Sequence, residues 1–251
     1  MELPSESSLL SNEGIKMFTK TAQYYDQIYS HKDYQAEVEK LVTFISKNRS
    51  PDGDRLLDVA CGTGHHIQYL KEHFKVEGLD LDPELLEIAR QRNPDINFHV
   101  GDMIDFHLNR RFDIVTCLFS SIGYVKTREN LNKAIQTMAG HLNPGGFLLI
   151  EPWFTPQDWK PGTLHAQFID KPDLKIVRMN LSLSEGKLSY FDFQYLIGTL
   201  DGIEHCVEHH ELGLFEREEM EIAFTKAGLQ VDYDEEGLTG RGLYIGQKPK
   251  L

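Results

Sequence analysis

The sequence predicts a doubly wound α/β fold carrying an inserted antiparallel β lobe. Short apolar runs alternate with helix-period segments between residues 51 and 151, and the first run ends in a two-glycine turn. Between residues 164 and 212 the hydrophobic period switches to two. Strands alternating with helices pair in parallel through right-handed crossovers. Period-two alternation broken by glycine turns marks antiparallel hairpins instead.

Residues 1–14 read as a polar leader. Asp33 is placed to cap a helix reaching Asn48, with Val38, Leu41, Val42 and Ile45 at i, i+3, i+4 and i+7. Ahead of it crowd Tyr24, Tyr25, Tyr29 and Tyr34, either as an apolar cap over the core or as rings that close over a ligand. The run Leu56-Leu57-Asp58-Val59-Ala60-Cys61-Gly62-Thr63-Gly64 is a buried strand, an acid and a turn. A helix with Ile67, Leu70 and Phe74 on one face follows, then a second strand ending at Asp80. Asp82-Pro83 opens the next helix, aspartate capping and proline in the first turn. Strands are expected at 97–100 and 112–119, separated by Gly101-Asp102-Met103. Thr127 caps a helix carrying Leu131, Ala134, Ile135, Met138 and Leu142, which Asn143-Pro144-Gly145-Gly146 stops before a strand at 147–150.

After Glu151, hairpin signals at Ser184-Glu185-Gly186 and Asp201-Gly202 predict three or four antiparallel strands. Along residues 175–183, Val177, Met179, Leu181 and Leu183 share one face, and Arg178, Asn180 and Ser182 the other. That polar face is either solvated or the lining of a lid. Met220, Ala223, Phe224 and Ala227 mark a helix ending at Gly228, before strands at 229–233 and 242–246. The expected division is a leader and cap (1–50), a ligand-binding core (51–151), an inserted lobe serving as substrate lid or dimer surface (152–213), and a return to the core (214–251).

Forty per cent hydrophobic residues supply a sizeable core. A net charge of −13 argues against a nucleic-acid partner held by a broad basic surface, but two or three local cations still suffice for a small anion. Cys61, Cys117 and Cys206 are odd in number and widely spaced, as reduced thiols of a cytoplasmic protein are. No cysteine spacing suits a metal, and His65, His66, His205, His209 and His210 make no ligand set. No run reaches membrane-span length.

A dinucleotide fingerprint needs a third glycine where this chain has Ile67, so no pyrophosphate cradle forms. Asp58, Asp80 and Asp102 close three successive strands on the edge where open α/β sheets bind ligands. Asp80 suits a ribose diol and Asp102 an adenine amino group. The expected ligand is a nucleoside without a phosphate bridge.

This combination resembles the class I S-adenosylmethionine-dependent methyltransferases from about Lys16 to Gly246. Asp58 to Gly64 is similar to their first motif, Gly78-Leu79-Asp80 to the ribose motif and Gly101-Asp102-Met103 to the adenine motif. The resemblance implies a seven-stranded sheet whose last strand is antiparallel. It also implies a cofactor set of Tyr25, Tyr34, Asp58, Ala60, Cys61, Gly62, Gly64, Asp80, Leu81, Asp102, Met103 and Leu118. Further motifs are similar to the N,N-dimethyltransferases of dTDP-linked 3-amino-deoxyhexoses. They are Phe119-Ser120-Ser121-Ile122-Gly123-Tyr124, Glu151-Pro152-Trp153, Val207-Glu208-His209, Leu214-Phe215-Glu216-Arg217 and Gly240-Arg241-Gly242-Leu243. The substrate set so implied is Ser120, Ser121, Tyr124, Glu151, Trp153, Arg178, Asn180 and Arg241, with the two arginines meeting the pyrophosphate. The chain departs from that subgroup at Tyr124, where a histidine is usual, and at Met17 or Phe18, where a tyrosine is.

Methyl transfer from a sulfonium is an in-line displacement, so alignment and exclusion of water matter most. Tyr124 is assigned a positioning role toward the amine. The residues alone leave open transfer to another small amine, hydroxyl or carboxylate, non-catalytic cofactor binding, and homodimerisation through the lobe.

Overall fold

The computed structural model describes residues 21–48 and 53–250. The leader, Lys16 and the Met17/Phe18 position lie outside them. The cap comprises α1 (Tyr25–Ile28) and α2 (Tyr34–Asn48). Asp33 accepts the Ala36 N–H at 2.9 Å, which satisfies a donor that the start of a helix leaves free. The core follows as β1 (Arg55–Val59), α3 (His65–Leu70), β2 (Lys75–Asp80), α4 (Pro83–Arg92), β3 (Asn97–Val100), β4 (Phe112–Cys117), α5 (Arg128–Gly140) and β5 (Leu142–Ile150). The lobe is β6 (Leu164–Asp170), β7 (Leu174–Leu181), β8 (Leu183–Glu185), β9 (Leu188–Thr199) and β10 (Gly202–Gly213). The chain returns through α6 (Arg217–Lys226), β11 (Gln230–Asp234) and β12 (Leu243–Gln247).

One seven-stranded sheet has the order β11-β12-β5-β4-β1-β2-β3, with β12 antiparallel to both neighbours and β1 to β5 mutually parallel. Both faces are covered, which explains its unbroken apolar runs. Leu57, Val115 and Leu148 pack toward α5 and α6, while Leu56, Ile114 and Leu149 pack toward α2, α3 and α4. Each such side chain contributes about 1.5–3 kcal/mol by leaving water.

Three expectations need correction, and one open alternative is decided. The fourth strand stops at Cys117, because Phe119 (φ 51°) and Ser120 (φ 63°) turn into the left-handed region. The fifth begins at Leu142 and absorbs the Asn-Pro-Gly-Gly segment, since the Gly146 carbonyl accepts from Lys248 N–H just past β12. A Cβ at Gly146 would lie 2.8 Å from the Asp113 carbonyl, so only glycine fits that approach. The lobe has five strands, because Ser182 bonds to Thr163 and splits the expected 175–183 strand into β7 and β8. Its polar face, expected to be either solvated or the lining of a lid, is turned inward. Asn180 and Ser182 are buried, whereas Met179, Leu181 and Leu183 are exposed on the other side. Arg178 turns inward because Tyr29 of the cap meets it there.

A candidate cofactor and acceptor cleft

The carboxyl ends of β1, β2 and β3 face the inner surface of the lobe across a cleft of about 710 Å³. Its floor comes from the first turn. Ala60 (φ 57°) and Gly62 (φ 55°) both take left-handed backbone, which presses bare main chain toward the cleft. A Cβ on Gly62 would meet nothing within 4 Å, so the turn faces open space. Asp80 lies beneath this turn, accepting the Gly62 N–H at 2.7 Å on one oxygen and the Asp82 N–H at 2.9 Å on the other. Burial pushes its carboxyl up to about 6, although these two N–H groups oppose the rise. Each oxygen keeps lone-pair capacity for a further donor. Leu81, Asp102 and Met103 continue the wall, and Tyr25 closes it from the cap. Burial, reinforced by Tyr29 and Tyr34, holds the Tyr25 phenol protonated, so it can donate.

The opposite half is built on the turn after β4. Glu151 is completely buried and accepts the Phe119 N–H at 2.7 Å, with Thr239 on its other oxygen. Ser120 donates to the Pro152 carbonyl at 2.7 Å and accepts from Arg241 at 2.5 Å. The Arg241 guanidinium stands 5.7 Å from the centre of the Trp153 ring, within cation–π reach. Trp153 is itself anchored through its ring N–H to Ser189 of β9 at 3.0 Å. A short 3-10 turn, Ser121–Val125, then carries Tyr124 into the cleft, where its hydroxyl meets His210 Nδ1 at 2.9 Å.

Of the residues singled out in the sequence, Tyr25, Ala60, Gly62, Asp80, Leu81, Asp102, Met103, Ser120, Ser121, Tyr124, Trp153 and Arg241 line this cleft. Eight others do not. Asp58 is sealed beneath the turn and accepts from Thr116 at 2.7 Å. Cys61 and Leu118 belong to the apolar cluster under the sheet. Gly64 is spent on packing, since a Cβ there would lie 3.0 Å from the Asn93 amide. Tyr34 stacks on His65, 4.5 Å between ring centres, and lines a separate opening. Glu151 supports the Phe119 backbone from behind. Arg178 sits one layer back, donating to Tyr29 at 3.2 Å and lying 4.4 Å over the Phe193 ring. Asn180, two residues further along β7, is buried on the same inner face.

Sequence reasoning missed Phe191, Phe193 and His210 as site residues and gave no specific role to Tyr29 or Glu208, which it had noted in the tyrosine cluster and in a motif; all five border the cleft. The signal was present in β10 and β9. Glu208 pairs with Phe193 and His210 with Phe191, so period two places all four on one face. Among the described residues, no group of three or more His, Cys, Asp or Glu is placed to hold a metal. No helix there is long and apolar enough to cross a membrane.

A family model described as a methyltransferase domain matches residues 56–146. Over 229 residues the chain is 42% identical to the dTDP-3-amino-3,6-dideoxy-alpha-D-glucopyranose N,N-dimethyltransferase of Streptomyces fradiae, covering 90% of this chain and 89% of that one. The chain belongs to the amino-sugar N-methyltransferase family. The crystal structure of Streptomyces venezuelae DesVI superimposes on this methyltransferase with a TM-score of 0.86 at 38% identity, covering 92% of this chain and 99% of that one. The S-adenosylmethionine-bound CalS10 of Micromonospora echinaspora, an amino pentose methyltransferase, gives 0.82 at 36% identity, covering 90% and 97%. The fold is therefore that of the class I methyltransferases, and the cofactor is S-adenosylmethionine. The cleft fits it: a bare-backbone turn with open space above Gly62 and an acid beneath that turn.

Proposed function

We propose that this methyltransferase adds two methyl groups in turn to the amine of a dTDP-linked amino-deoxysugar. The observation that carries the proposal is 42% identity over 229 residues, a span that takes in both core and lobe, to a relative named for that reaction. When bound, the cofactor supplies an electrophilic methyl group. The chain's own residues hold the nucleophile in line and keep water out. In this reading Asp80 takes the ribose hydroxyls, and Asp102 and Met103 take the adenine. Ser120, Ser121, Trp153 and Arg241 seat the nucleotide sugar, with Arg241 as a local cation on an acidic protein. Tyr124 orients the amine. Incubation with S-adenosylmethionine and a panel of dTDP-3-amino and dTDP-4-amino sugars, read by mass spectrometry, should give mono- and dimethylated products. No turnover across the panel would sink the proposal.

We further propose that the lobe's outer face pairs with a second copy. Leu164 (78% exposed), Phe168 (70%), Met179 (47%), Leu196 (46%) and Val207 (49%) are exposed apolar side chains there, bordered by the Lys175–Asp170 and His209–Asp192 pairs. Patches of this kind mark interaction sites, and on a chain of charge −13 a face whose exposed acids are paired with Lys175 and His209 is where two copies repel least. Light scattering should give a dimer that Phe168→Glu with Met179→Lys converts to monomer; a monomeric parent protein would refute it. Three buried free cysteines support a reducing, cytoplasmic setting.

A further inference from the structure

Behind Tyr124 lies a line of titratable groups that methyl transfer alone does not need. The Tyr124 hydroxyl is 2.9 Å from His210 Nδ1, and His210 Nε2 is 3.7 Å from Glu208 Oε2. His210 is 2% exposed and Glu208 6%. The other Glu208 oxygen accepts from the Thr21 hydroxyl. Phe191 stacks on the imidazole at 5.4 Å and Phe193 meets it edge-on at 5.0 Å, which fixes the ring's plane. Tyr124, His210 and Glu208 all border the cleft, and the Glu208 and His210 side chains are almost wholly removed from solvent.

Proton positions follow from burial. Desolvation drives the Tyr124 phenol far above its ordinary range, and Tyr29 of the cap, Glu208 of β10 and Asp80 of β2 all push the same way. The phenol therefore keeps its proton and can donate it. A relay requires that donation to be to His210 Nδ1, with the ring's own proton on Nε2, the nitrogen nearest Glu208. Hydroxyl, imidazole and carboxylate thus stand in sequence, as in sites that activate nucleophiles, with the last step an ion-pair approach of 3.7 Å that is longer than a hydrogen bond.

We propose that Tyr124, His210 and Glu208 form a proton relay that resets the amine between the two methyl transfers. The relay rests on the amino-sugar reading above. In the first transfer the nitrogen lone pair bonds to the methyl carbon while the carbon–sulfur pair stays on sulfur, and the nitrogen becomes a secondary ammonium. An ammonium has no lone pair, so a second transfer requires loss of a proton. That proton passes from nitrogen to Tyr124 Oη as the phenol's own proton passes to His210 Nδ1. The products are a neutral secondary amine, an unchanged phenol and an imidazolium. The Glu208 carboxylate offsets the imidazolium charge until the proton leaves to water through the opened cleft. Tyr124 touches the substrate; His210 and Glu208 are positioning and proton-holding groups behind it.

His210→Asn is the incisive variant, since its amide oxygen can still accept the phenol's hydrogen bond but cannot hold a proton. With an amino-sugar acceptor, the ratio of mono- to dimethylated product should rise about tenfold and the acid limb of kcat should move up by about one pH unit or more. Binding of S-adenosylhomocysteine, followed by calorimetry, identifies a folded variant. Should the variant fail that check, Tyr124→Phe, which removes one oxygen, decides by the same two readouts. Unchanged product ratio and unchanged limb would overturn the relay. Nitrogen NMR of histidine-labelled protein with S-adenosylhomocysteine tests it without any acceptor. His210 should be neutral with its proton on Nε2, and its Nδ1 resonance should move in Tyr124→Phe. A protonated Nδ1, or no movement, would refute the relay even if no amino sugar is turned over, which would itself refute only the substrate reading.

Discussion

If Asp80 holds the ribose, cofactor affinity must depend on pH in a way its burial sets. The ligand-free carboxyl titrates at about 6, raised by desolvation against the opposing N–H groups of Asp82 and Gly62. Ribose hydroxyls that donate to it favour the ionised form and lower that value, so binding below about pH 6 releases a proton. Affinity for S-adenosylhomocysteine should be flat above about pH 6 and weaken about tenfold per unit below it, or about 1.4 kcal/mol per unit. The same group affects stability with the opposite demand. Because its folded value lies above the ordinary 3.8, its favourable contribution is complete below 3.8 and is lost as pH rises through about 6. A rise of that size corresponds to about 3 kcal/mol given up at neutral pH to keep the site charged. Asp80→Ala should flatten both profiles and weaken cofactor binding at least about tenfold, near the value of one charged hydrogen bond. Calorimetric titrations between about pH 5 and 8 measure the slope directly. A constant affinity down to about pH 5, or a slope retained in Asp80→Ala, would refute the ribose role.

Other perturbations separate support from recognition. Glu151→Ala leaves the half-buried Phe119 N–H without its acceptor and should cost about 1–3 kcal/mol, read as a lower Tm, with cofactor affinity little changed. Arg241→Lys loses the planar fork toward Ser120 and a diphosphate and should raise acceptor KM about tenfold with kcat nearly constant. Glu219 is held down at about 2 by Lys187, the Glu216 N–H and Arg128, which together outweigh its partial burial. Its stabilisation is present above the ordinary 4.5 and lost as pH falls toward 2, so Glu219→Gln should flatten the acid side of a Tm-against-pH curve.

The sheet order and the crossover pattern were legible because a doubly covered parallel sheet demands apolar runs at fixed intervals, and few other packings satisfy them. Within the cleft, legibility followed the backbone. Gly62 and Asp80 stand out because the turn needs positive φ and the acid meets that turn's N–H. Asp58 and Gly64 belong to the same motif, yet one is sealed under Thr116 and the other packs against α4. A motif names the whole turn and does not say which members reach the ligand. The lobe misled for a different reason. Val177, Met179 and Leu181 look like a core stripe, but the cap offers Tyr29 and aromatic faces to the polar stripe, so Arg178 and Asn180 turn inward and the apolar stripe faces out. Only a long-range partner decides that, and the sequence does not announce one.

The turn between Cys117 and Thr127 is where the two halves of the site become one. Phe119, Ser120 and Lys126 all adopt left-handed backbone without being glycine, at about 1 kcal/mol or more each. Such a conformation persists only where its surroundings over-determine it. Here Glu151 at the end of β5 holds Phe119 by its N–H, and Pro152 and Arg241 hold Ser120 by its hydroxyl. Lys126 pairs with Glu211 of β10 at 2.5 Å, which ties the far end to the lobe. A Cβ on Gly123 would lie 2.9 Å from Leu212, so the turn also packs tightly against β10. Tyr124 is consequently fixed against both sheets at once. Its distance to a methyl donor is set by β4 and β5, and its hydrogen bond to His210 is set by the lobe. Shifting the lobe therefore alters the acceptor's alignment without touching the floor under Gly62, so lobe substitutions should change turnover while leaving S-adenosylhomocysteine affinity in place.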